Sequence, residues 1–107
     1  MKTFKFHSDS GHGWLAVKLN LLKELNIVEK ISKYSYIRGQ TVYLEEDCDA
    51  RVFHEAYNEK YGEYDVETFY YDRRSPIRSY LAFTSEVVDR INTQKSRLPF
   101  QTKEIEE

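Results

Sequence analysis

A two-residue turn between two alternating strands constrains this chain more than any other feature. In the run Tyr34-Ser35-Tyr36-Ile37-Arg38-Gly39-Gln40-Thr41-Val42-Tyr43-Leu44-Glu45, Gly39-Gln40 sits between segments rich in β-branched and aromatic residues, the pattern of a tight hairpin. With those two residues as the turn, Arg38 opposes Thr41, Ile37 opposes Val42, Tyr36 opposes Tyr43 and Ser35 opposes Leu44. Strand side chains alternate between faces. Ile37, Val42 and Leu44 therefore share one face, the natural core side, while Tyr34, Tyr36 and Tyr43 share the other.

The same run then swings into acid. From Glu45 to Asp72 there are ten acids against two bases, Arg51 and Lys60, a net charge of −8. The flanking thirds are net basic, so the formal charge of −2 conceals a dipolar sequence. Asp47 or Asp49 can cap a following helix, where acids suit the positive N-terminal end. Val52, Phe53, Ala56 and Tyr57 form a narrow apolar stripe on that helix, and Gly62 is its stop.

Upstream, Thr3 to His7 alternates Phe4 and Phe6 with polar residues, a short strand. Ser8 to Gly13 is a turn, and Trp14 to Val17 is the partner strand. Leu19, Leu22 and Leu25 follow at helical spacing in a short helix ending near Asn26. Downstream, Val66 to Tyr71 reads as a further strand and Asp72 to Pro76 as a loop. Residues 85–92 can form two helical turns capped by Ser85, with Val87, Val88 and Ile91 inward. Strands mixed with short helices, joined by hairpins, define an α+β fold: one domain over residues 1–94, a small antiparallel sheet around the 34–45 hairpin, and helices on one face. A polar tail, 95–107, is expected to fray.

At 107 residues a single core is expected, and 15% aromatic content argues for a folded chain. Cys48 is the only cysteine, which excludes an internal disulfide and a thiolate zinc cluster and fits a reducing cytoplasm. No apolar run has the length of a signal peptide or a membrane span. The expectation is a soluble, cytoplasmic protein.

Candidate chemistry is sparse. His7, Asp9, His12 and His54 are the nearest to a metal-ligand set, but their spacing matches no ligand motif. Cys48 lies between acids at a helix start, where opposing influences act on its thiol. The acids after Leu44 lack the glycine of a calcium loop, and no nucleophile motif or phosphate loop occurs. No cofactor, metal or catalytic residue is assigned; a small metal-dependent hydrolase, which would use His7, Asp9, His12 or His54, is the least favoured reading. Two binding patterns remain. Acids interleaved with tyrosines suit a basic protein partner: Glu45, Glu46, Asp49, Glu55, Glu59 and Glu63 would supply the field, and Tyr57, Tyr61 and Tyr64 the contact area. Alternatively, Lys33, Arg38, Arg73, Arg74 and Arg78, with Tyr34 and Tyr36 as stacking platforms, would bind nucleic acid.

Four blocks together carry a resemblance: His12-Gly13-Trp14-Leu15-Ala16-Val17; Lys30 to Gly39; Val42 to Ala50 with Phe53; and Ser75-Pro76-Ile77-Arg78-Ser79-Tyr80. Over residues 3–83 the chain resembles a group of small proteins encoded on plasmids, phages and other bacterial mobile elements; the last 24 residues fall outside that likeness. The resemblance implies a genomic setting in which small acidic proteins often act as anti-defence factors, such as anti-CRISPR or anti-restriction proteins. The partner it implies is a nucleic-acid-binding effector such as a CRISPR nuclease, blocked by direct contact. It transfers no functional residue.

Overall fold

The computed structural model describes residues 1–97. The hairpin forms as its alternation requires: β3 (Tyr36–Arg38) and β4 (Thr41–Glu45) pair antiparallel. The register sets Arg38 against Thr41, Ile37 against Val42 and Tyr36 against Tyr43. Gly39 takes φ 60°, the left-handed conformation that a two-residue turn needs. Ile37, Val42 and Leu44 are almost fully buried.

The N-terminal alternation likewise yields β1 (Thr3–Ser8) and β2 (Gly13–Lys18), also antiparallel. β2 pairs in turn with β4. Helix α1 (Leu19–Glu24) buries Leu19 and Leu22, and Asn26 adopts φ 59° as the chain turns away. Helix α2 (Asp49–Tyr61) buries Phe53 and Tyr57 and ends at Gly62, whose φ of 90° disfavours any other residue. Strand β5 (Asp65–Tyr70), a 3₁₀ turn at Pro76–Ser79, the short strand β6 (Leu81–Ala82) and helix α3 (Ser85–Arg97) follow.

The fold is α+β, with a six-stranded sheet in the order β5-β1-β2-β4-β3-β6. Strands joined by short turns pair antiparallel, but the sheet is mixed, because β5 lies parallel to β1. The reason is topological. α2 carries the chain from β4 back over β2 and β1, and a crossover through a helix delivers a strand parallel to its start. Phe4, Leu15, Val17, Ile37, Val42 and Leu44 from one sheet face join Leu19 and Leu22 of α1, Phe53 and Tyr57 of α2, and Val88 of α3 in the main core. At its β5 end, Phe4, Phe53, Tyr57 and Tyr64 pack edge to face or tilted, with centroids 5.2–5.9 Å apart.

The link from β5 to β6 must cross the sheet from one edge to the other, about 24 Å at strand spacing. Its contacts place it on the face without helices. Tyr71 reaches His7, Arg78 lies over Trp14, and Tyr80 packs on Tyr43. Residues 71–80 thus form a strap that buries Ile77 and Ser75 to 2% exposure.

Three local expectations change. Neither Asp47 nor Asp49 caps α2: Cys48 holds the cap position, and Asp49 is the first helical residue. For α3, Thr84 is the cap in place of Ser85, since its Oγ1 accepts from the Val87 amide at 3.3 Å. α3 also continues to Arg97, past the expected boundary of the tail at 95; residues 98–107 lie outside the described residues.

Candidate functional site

The nine expected partner-binding residues divide by burial. Glu46, Glu55, Glu59, Tyr61 and Glu63 are exposed. Glu55 and Glu59 lie one turn apart on the outer side of α2, and Glu63 follows the helix end. Arg51 shares that stripe at 3.8 Å from Glu55, with both side chains in solvent, so the pair leaves the acidic field largely intact. Glu45 is half-buried, and its Oε1 accepts from the Cys48 amide at 3.0 Å. Tyr64 is half-buried, its hydroxyl 3.0 Å from His54 Nδ1 and its ring in the aromatic end of the core, where burial raises its pKa.

Asp49 and Tyr57 are corrections. Asp49 is 2% exposed, and its Oδ2 accepts from the Ser32 amide at 3.0 Å, Ser32 Oγ at 2.7 Å and Ser35 Oγ at 2.5 Å. It ties the start of α2 to the segment before β3 and contributes no surface charge. Tyr57 is 8% exposed and packs against Phe4 and Phe53. The exposed acids of the expected set are therefore Glu46, Glu55, Glu59 and Glu63; Asp65 and Glu67 of β5, in register with Thr3 and Lys5, lie on the sheet face opposite α2, and exposed Tyr61 packs towards Tyr57.

The expected basic and aromatic set is brought together in part. Arg78 is committed to Asp9, donating from Nε to Oδ2 at 2.7 Å and from Nη2 to Oδ1 at 2.9 Å. Arg38 lies over Tyr80, with its guanidinium 5.2 Å from the ring centre. Tyr34, Tyr36 and Arg78 line one pocket of about 330 Å³ with His12, Trp14, Glu45 and Asp47, while Lys33, Arg73 and Arg74 are exposed. A different basic and aromatic surface appears where the strap leaves the sheet uncovered. Lys2, Lys5, Lys18, His7 and Tyr43 line a cleft of about 670 Å³ that also reaches Tyr57 and Tyr61. Its lysines were legible as the polar phase of β1 and β2, but their meeting depends on the β1–β2–β4 register.

The candidate metal residues have structural partners. Asp9 accepts five hydrogen bonds: two from Arg78, one from the Ser75 amide, and two from the Gly11 and His12 amides. The Arg78 guanidinium, then the Ser75 amide, hold its carboxyl well below the usual carboxylate range. His7 Nδ1 lies 2.8 Å from the Tyr71 hydroxyl and its ring stacks on Phe69; burial, and then Lys5, lower its pKa. His54 sits on the far side of the molecule, on α2. Among the described residues, no group of three or more His, Cys, Asp or Glu side chains is placed to hold a metal ion. No described helix is long and apolar enough to cross a membrane.

The geometry thus defines a small α+β protein whose distinctive surfaces are an acidic ridge and a lysine-lined cleft. No family model, curated protein or solved structure matches the chain.

Proposed function

We propose that this is a non-enzymatic binding protein that inhibits or modulates a nucleic-acid-handling complex by presenting its acidic ridge to a basic groove of the partner. The observation that carries this reading is the exposure of Glu55 and Glu59 one turn apart on the outer side of α2, with exposed Glu63 just past the helix end. Carboxylates on a rigid helix can occupy a groove shaped for a phosphate backbone, and tyrosine adds contact area at low entropic cost. The resemblance to mobile-element proteins makes a defence nuclease of the CRISPR type the first partner to try.

The test is a triple reversal, Glu55→Lys with Glu59→Lys and Glu63→Lys. All three side chains are exposed, so the far-UV spectrum and melting temperature stay near the parent's while capture of a purified CRISPR nuclease, or of a nuclease recovered from a bacterial lysate, is lost. Equal capture by parent and variant refutes the acidic ridge.

The lysine-lined cleft supports a second reading, a nucleic-acid-binding accessory protein using Lys2, Lys5 and Lys18 with Tyr43 and His7. Direct binding to single-stranded DNA with a steep salt dependence selects this reading over the first.

A further inference from the structure

Among the described residues, the last strand at one end of the sheet has a single partner: β5 is hydrogen-bonded to β1 alone, and all six of its residues are exposed. Natural edge strands are usually blunted by charged side chains, lysine above all, or by proline, a bulge or short length. β5 carries Asp65 and Glu67 but no proline or lysine, runs for six residues, and exposes Val66 at 48%, Phe69 at 36% and Tyr70 at 82%.

Two hydrogen bonds set the phase of its backbone. The Asp65 amide donates to Lys2 O and the Tyr71 amide to Ser8 O, each at 2.8 Å. Odd-numbered residues therefore face β1, and Val66, Thr68 and Tyr70 turn their N–H and C=O groups outward, the arrangement a further strand requires.

Charge selects the occupant. Residues 63–72 carry Glu63, Asp65, Glu67 and Asp72 and no base. A second copy pairing antiparallel through β5 would set Asp65 and Glu67 of both chains on one face of a continuous sheet, four carboxylates against one Lys5 from each chain's β1 and no base from the partner strand. We infer that the outer edge of β5 takes an extended basic segment of a partner protein as a seventh strand, with lysines or arginines over Asp65 and Glu67 and apolar residues beside Val66 and Tyr70. The inference rests on the acidic-ridge reading and adds the mode of contact.

The probe is a capped octapeptide of alternating lysine and valine, titrated against the whole chain by fluorescence anisotropy and by amide NMR. Thr68→Pro removes the central outward N–H while leaving the β1 ladder intact, because that amide does not face β1. Its melting temperature stays near the parent's and its affinity falls at least about tenfold, the loss of one well-formed hydrogen bond, whereas Thr68→Val retains binding. A peptide N-methylated at alternate residues binds the parent equally weakly, which preserves the test should the proline variant fail to fold.

Equal peptide affinity for the parent and Thr68→Pro, with binding abolished by Glu55→Lys, Glu59→Lys and Glu63→Lys, overturns strand addition and leaves the acidic ridge standing. An absence of peptide binding, or binding insensitive to every acid reversal, overturns both. A concentration-dependent dimer that Thr68→Pro abolishes, without peptide binding, assigns the edge to a second copy and also overturns the inference.

Discussion

Replacing Asp49 with alanine tests whether this acid belongs to the fold or to the surface. Its Oδ2 receives three hydrogen bonds, from the Ser32 amide, Ser32 Oγ and Ser35 Oγ. Ser35 is fully buried, and its Oγ also accepts from the Glu45 amide at 2.9 Å. One carboxylate thus joins the start of α2, the segment before β3 and the end of β4. Hydrogen bonds to a charged acceptor contribute about 1.5–3 kcal/mol each, so the gross loss is about 5–9 kcal/mol. Ser32 is half-buried, and water entering there recovers part of that sum. The Ser35 hydroxyl has no such route to solvent. The expected net cost is about 3–4 kcal/mol, which at an ordinary urea dependence lowers the unfolding midpoint by about 1.5–2 M. Asp49→Asn, which keeps an acceptor oxygen but not the charge, should lose about half as much. Urea unfolding followed by circular dichroism measures both. A cost below about 1 kcal/mol for Asp49→Ala, coupled to lost partner capture, would return Asp49 to the binding surface and refute the network argument.

Asp9→Asn should lower the melting temperature at neutral pH far more than breaking the exposed Arg51–Glu55 pair does. Because the folded carboxyl lies below its ordinary value, the unfolded chain takes up a proton first as pH drops below about 4, so the stability Asp9 contributes is complete above that pH and declines below it. The gap between parent and variant in thermal melts must therefore narrow toward pH 2, and a constant gap would contradict the assignment. Gly13→Ala should cost about 1–3 kcal/mol, since a Cβ there would stand 2.3 Å from Phe6 Cζ. If Phe6→Leu relieves none of that cost in the double variant, the clash is not its cause.

The hairpin shows how much was readable from local pattern. Its turn, its register and its buried face all follow from alternation and one glycine, and the same alternation put Phe4 and Phe6 on one phase of β1 and Lys5 and His7 on the other. The stripe of α2 and its stop at Gly62 were equally legible. The acids were harder, because charge in a sequence does not state its own burial. Asp49 looks like Glu46 or Glu55 until Ser32 and Ser35 arrive from 17 and 14 residues away. Asp9 was readable as a turn residue, whereas Arg78 reaches it across 69 positions.

Sequence alone determined the α+β class, the hairpin and the concentration of acid between Glu45 and Asp72, since each depends on neighbours a few positions apart. Only the tertiary structure decided that β5 lies parallel to β1 at an open edge, that the strap crosses the second face, and which acids remain in water. Strand order and burial are set by contacts between distant segments competing for one apolar sheet face, and no local periodicity encodes the winner.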